Sequence, residues 1–145
     1  MDFFKNHKHY GQILVRIVIA LVFLWFGLNQ LIDSQSWIGF LPGWAYNLPV
    51  SATQFVIING ILETVLGALL FLGLFTRLVS LILGLHLLGI ALSVGYNDVG
   101  IRDLGLSLVT LSILFTGPDN KCLDNKIKES SFRNTFIGKI LYIFD

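Results

Sequence analysis

QFVIINGILETVLGALLFLGLF, residues 54–75, is the stretch on which the fold turns. Its 22 residues hold one charge, Glu63. About 20 apolar residues at 1.5 Å rise cross the hydrocarbon core of a bilayer, so the stretch reads as a transmembrane helix. Glu63 then lies roughly 15 Å from either end, near mid-bilayer. A carboxylate at that depth costs about 2.5 kcal/mol or more on insertion scales. It must face a partner, water or a ligand, or be protonated.

Upstream, Ile13 to Ile32 is a second apolar run of 20 residues behind a basic start, MDFFKNHKHYGQ. A cleaved signal peptide competes with a first membrane helix there. The run is longer than a usual signal core, and NQLIDSQSW after it has no small-x-small cleavage site, so an uncleaved helix is expected. Arg16, in its first turns, is expected to snorkel to the interface. Downstream, GLFTR makes a tight turn into a third helix, about 77–96, antiparallel to the second. A fourth is expected over about 102–116, stopped by Gly117-Pro118. The expected class is all-α: an antiparallel four-helix integral membrane bundle over residues 1–118, with helices at about 13–32, 54–75, 77–96 and 102–116.

The first connection, DSQSWIGFLPGWAYNLPVS, is broken by Pro and Gly. Trp37, Trp44 and Tyr46 suit an interfacial aromatic belt, as a short helix in the headgroup layer or a lid over an outward-facing cavity. Residues 119–145 read as a polar, basic tail. Phe132, Phe136, Ile140 and Phe144 recur every four residues, which predicts an amphipathic helix over about 131–144 lying on the membrane surface.

Charged residues are 13% of the chain, against about 25% in soluble domains, as a bilayer-embedded protein requires. A net charge of +1 makes no case for nucleic acid. The distribution of Lys and Arg says more. With four spans, nine of the ten fall on the side of the termini and the 76–77 turn, and only Arg102 on the other. The positive-inside rule then puts both termini in the cytoplasm of a multi-pass protein of the cytoplasmic or inner membrane.

Two polar sets could carry chemistry. Glu63 and His86, roughly 14 Å in from Arg77, sit at matching depth on neighbouring helices. Such a pair could relay protons or hydrogen-bond a quinone carbonyl, or it could be an interhelical polar clamp worth about 0.6–2 kcal/mol. The second set is outward: Asn29 and Gln30 close helix one, while Asp98, Arg102 and Asp103 flank helix four. Arg102 could fork the oxygens of an anionic head group or oxyanion; the competing reading is a cap and ion pair. Cys122 is the only cysteine, which excludes a CxxC disulfide cycle, and it reads as an incidental tail thiol or a palmitoylation site. His86 is the only histidine inside a span, so two intramembrane histidines cannot hold a haem. No metal-site motif, P-loop or GxGxxG occurs.

Four stretches carry a resemblance: RIVIALVFLWFGLNQL, GILETVLGALLFLGLFTR, GIRDLGLSLVTLSILFTGP and the closing GPDNKCLD. Over residues 13–124 the chain resembles the DoxX family of small four-helix membrane proteins and its DoxD-like relatives. The resemblance implies a subunit of a thiosulfate:quinone oxidoreductase, with Glu63 and His86 as catalytic residues serving quinone protonation. Asn29, Arg102 and Asp103 would hold the oxyanion substrate. With no redox-cofactor ligand set in the sequence, a partner redox subunit would supply the electrons. The alternative is a non-catalytic module that binds lipid, a partner subunit or a second copy of itself. A fold alone does not choose between them.

Overall fold

The computed structural model describes residues 8–127 and Lys139. The expected amphipathic helix over 131–144 lies outside the described residues. Four long helices follow in order: α1 Lys8–Ile32, α2 Ala52–Leu72, α3 Thr76–Val94 and α4 Asp98–Thr116. All four are long and apolar enough to cross a membrane. The expected helical bundle is therefore present, with shifted ends. α1 begins five residues before Ile13, since His9 to Gln12 carry no helix-breaking proline. α2 begins at a capping box: Gln54 N–H donates to Ser51 Oγ (3.2 Å) and Ser51 N–H to the Gln54 side-chain oxygen (3.0 Å). It ends at Gly73, whose φ of +68° suits a residue without Cβ.

The largest shift is in α4. It starts at Asp98, not near 102, because Asn97 Oδ1 accepts from Gly100 N–H (2.9 Å) and caps it. The connection between the third and fourth helices, expected over about 97–101, is instead three residues, 95–97. Arg102 and Asp103 stand inside a helix.

Packing divides the bundle into two hairpins. α1 lies along α2 and α3 along α4, whereas α2 meets α3, and α1 meets α4, over short stretches only. Small residues set this. A Cβ added to Gly27 would stand 2.5 Å from Thr64 Oγ1 and 2.8 Å from the Gly60 carbonyl, so α1 and α2 cross almost backbone to backbone. Gly84 takes the Leu111 side chain, and Ser107 Oγ donates to the Gly84 carbonyl (2.9 Å) across α3–α4. Between the hairpins, Phe23, Leu70, Val79, Leu83 and Ile113 form the core of the end where α1 begins and α4 ends. The other end splays apart. Large apolar side chains such as Leu21, Leu28, Ile58 and Leu92 stay exposed on the outer faces, where lipid covers them.

Between α1 and α2, a short helix (Ser34–Trp37) and two 3₁₀ turns (Ile38–Phe40 and Gly43–Asn47) fold over the splayed end. Trp37 meets the Phe26 ring edge-on at 5.6 Å, and Trp44 meets Phe55 at 5.8 Å.

The segment after α4 departs most from expectation. Residues 119–127, the described part of the expected tail, dock on the end of the bundle where α1 begins and α4 ends. Arg16 does not snorkel. It is 3% exposed, its Nε donates to Asp119 Oδ2 (2.6 Å), and its Nη1 donates to the Leu70 carbonyl (2.9 Å). A buried guanidinium needs such partners. Asp124 reaches the α2–α3 turn and caps α3 from outside. It accepts from Phe75 N–H (2.7 Å), Thr76 N–H (2.9 Å) and Thr76 Oγ1 (2.6 Å). Phe75, with φ +51°, sits in the left-handed region that costs a bulky residue, and Asp124 holds it there. Cys122 is not an accessible tail thiol. It is buried against Gly73, and burial pushes its thiol pKa up, which leaves little nucleophilic thiolate.

Candidate functional site

The splayed end encloses a cavity of about 700 Å³ to which all four helices contribute. Its walls are mostly apolar, with Val22, Phe26, Val56 and Leu106 among them, and Trp37, Phe40 and Trp44 of the first connection form its roof. Of the three aromatics expected in an interfacial belt or a lid, Trp37 and Trp44 line the cavity and Tyr46 does not.

Glu63 lies on the inner wall, 4% exposed. Both its oxygens are engaged. Gln30 Nε2 donates to Oε2 (2.8 Å) and Asn59 Nδ2 to Oε1 (3.1 Å). Asn59 also donates to Gln30 Oε1 (2.8 Å), closing a ring of two amides and one carboxyl. Such a ring answers the burial cost that the sequence left open. His86 Nε2 lies 3.4 Å from Glu63 Oε1, within ion-pair reach but out of hydrogen-bond line. It is buried and makes no hydrogen bond. A polar nitrogen closed off in that state calls for an explanation.

On the opposite wall, Asp103 is 5% exposed and accepts from Arg102 Nε (2.8 Å). That leaves the outer nitrogens of Arg102 uncommitted to Asp103. The guanidinium carbon stands 5.4 Å from the centre of the Phe26 ring, and half of the side chain is exposed. Ser93 lies nearer the roof, donating to the Gly89 carbonyl (2.8 Å) and accepting from Trp44 Nε1 (3.4 Å).

The structure thus brings Glu63, His86, Arg102 and Asp103 to one chamber, where the sequence suggested two separate sets. Asn29 is not among them. Its amide turns back to the Trp25 carbonyl of its own helix (2.7 Å), and it lines no part of the cavity. Gln30 takes the inward place. The difference is helical phase: Arg16, Ala20, Phe23, Gly27 and Gln30 follow one another by fours and threes and are all buried, and Asn29 is off that line. Asn59, which sequence reasoning missed, stands one turn before Glu63 on the same face, and that i, i+4 relation was readable. His86, Gly89 and Ser93 share a face of α3, and all three line the chamber.

The DoxX family model matches residues 11–95, more than half of the chain. The chain belongs to the DoxX family. No curated protein and no solved structure matches it. The DoxX match spans α1 to α3, and so includes Gln30, Asn59, Glu63 and His86. It ends at Gly95, before Arg102 and Asp103, and short of the closing GPDNKCLD segment. DoxX membership and four bilayer-length helices make this a multi-pass membrane protein in contact with lipid.

Proposed function

We propose that this DoxX-family protein binds a quinone in the cavity between its hairpins, as the membrane subunit of a quinone-linked oxidoreductase. The observation that carries the reading is the Glu63–Gln30–Asn59 ring with the His86 imidazole beside it, at the inner end of a mostly apolar chamber. A quinone is a flat ring with two carbonyl acceptors and an apolar tail. The His86 ring lines the chamber beside Glu63, Arg102 offers donors nearer the roof, and Phe26 and Trp37 supply aromatic walls. Reduction of the quinone to quinol takes two electrons and two protons. Glu63 and His86 are the groups placed to pass protons. The chain has one cysteine and one histidine within a span, so the electrons come from a partner redox subunit. Arg102, steadied by Asp103, is the group for an oxyanion substrate at the roof. Both termini face the cytoplasm in this reading, supported by the gathering of Arg16, Arg77, Lys121 and Lys126 toward one end and Arg102 toward the other.

A second reading, a non-catalytic lipid-binding module, draws on the half-exposed Arg102, which would equally pair a phospholipid head group. Purification in lipid followed by mass spectrometry of co-purifying molecules separates the two. Quinone retained by the wild type and lost in Glu63→Gln supports the redox reading. Phospholipid alone, unchanged by that substitution, overturns it.

A further inference from the structure

Glu63 is sealed from one end of the molecule and open toward the other. Between it and the end where α1 begins and α4 ends, Leu70 and Leu83 are fully buried and Phe23, Val79 and Ile113 nearly so. Three hydroxyls in that region are spent on carbonyls, Ser80 Oγ on Arg77, Ser107 Oγ on Gly84 and Thr110 Oγ1 on Leu106, and Thr76 Oγ1 donates to Asp124; Thr64 Oγ1, beside Glu63 in the α1–α2 seam, is buried without a hydrogen bond. Below them the Arg16–Asp119 pair closes the base. A proton needs a chain of water or polar groups, and here the few hydroxyls are set in a packed, largely apolar layer. In the other direction the main cavity leads past Ser93 and Arg102 to the roof. There a second cavity of about 530 Å³ shares Phe40, Leu41, Pro42, Ser93, Val94 and Val99 with it and runs on to Asn97 and Asp98 at the α3–α4 turn.

We infer that Glu63 exchanges protons with one side of the membrane only, the side of the α1–α2 connection and the α3–α4 turn, through these two joined cavities. The groups facing Glu63 are Gln30 from α1, Asn59 from its own helix and His86 from α3, and α4 adds Arg102 and Asp103 across the chamber. His86 and Asp103 are the other titratable groups on the route before Asp98. The inference concerns access and stands whether or not the cavity takes a quinone.

The test uses the full chain in proteoliposomes of uniform orientation. A hydrophobic carbodiimide reacts with protonated buried carboxyls, and mass spectrometry assigns the modified residue. Glu63→Gln and Asp103→Asn separate the two carboxyls. Labelling of Glu63 is expected to rise as the pH falls on the loop side, by up to about tenfold per pH unit, and to ignore the pH on the opposite side. Labelling that follows the opposite side, follows both, or never occurs overturns the inference. A second measurement does not depend on Glu63. In a Cys122→Ser background, Ser93→Cys is expected to react with a membrane-impermeant thiol reagent from the loop side, and Leu83→Cys from neither side. Reaction of Leu83→Cys from the opposite side, or protection of Ser93→Cys from the loop side, also overturns it.

Discussion

Asp124 shows how much one side chain can hold at the end where α1 begins and α4 ends. It satisfies the first amides of α3 and pins Phe75 in a left-handed conformation. Losing a helix cap costs about 1 kcal/mol, and stranding buried donors costs about 1–3 kcal/mol. Asp124→Ala is therefore expected to lower the thermal unfolding midpoint in detergent by several degrees, and Asp124→Asn by less; unchanged midpoints would remove its role as a cap. Asp119 makes a pH prediction. Burial pushes its carboxyl up, but the Arg16 hydrogen bond and the Lys121 N–H outweigh burial and hold it below the ordinary carboxylate value. The unfolded chain then binds protons more readily than the folded one. The stabilisation is complete above the ordinary carboxylate value and is lost as the pH falls through the depressed one. Asp119→Asn is expected to flatten that acid limb in pH-dependent melts. It should also cost about 3–5 kcal/mol at neutral pH, because Arg16 stays buried with its charge uncompensated.

At the scale of elements, the α1–α2 seam is the close contact on which the chamber depends. It positions Gln30 over Glu63, because Gly27 and Gly60 let the backbones approach. A Cβ at Gly27 meets backbone as well as the Thr64 hydroxyl, so it cannot be relieved by a rotamer change. Gly27→Val is expected to cost about 1–3 kcal/mol through overpacking and to break the Gln30–Glu63 hydrogen bond. A lowered melting midpoint, together with a changed carboxyl stretch of Glu63 in infrared spectra against a Glu63→Gln reference, would report both effects. Helix existence and order were legible from apolar run length. The start of α4 was not, because Gly100, Arg102 and Asp103 look like a loop until Asn97 is seen capping them.

Across the whole molecule, residues 119–127 are part of the bundle. The chain past Gly117 ties α1 through Arg16–Asp119 and the α2–α3 turn through Asp124. Deleting everything from residue 118 onward is expected to cost more than Asp119→Asn and Asp124→Ala measured separately, since Cys122 packing on Gly73 and the Leu123 N–H bond to the Leu72 carbonyl (3.3 Å) go as well. Thermal unfolding and yield from membranes measure it. A truncated chain as stable as the full one would return these residues to the status of a tail.

Sequence alone determined four helices long and apolar enough to cross a bilayer among the described residues, and the matching depth of Glu63 and His86. Both follow from run length and helical rise, which act locally along the chain. Tertiary structure decided the rest. It chose Gln30 over Asn29, supplied Asn59, joined Arg102 and Asp103 to the Glu63 chamber, and docked residues 119–127 against Arg16 and the α2–α3 turn. Each of these depends on the rotation of one helix against another and on which hairpins pack closely, and both are set by contacts between residues far apart in the chain.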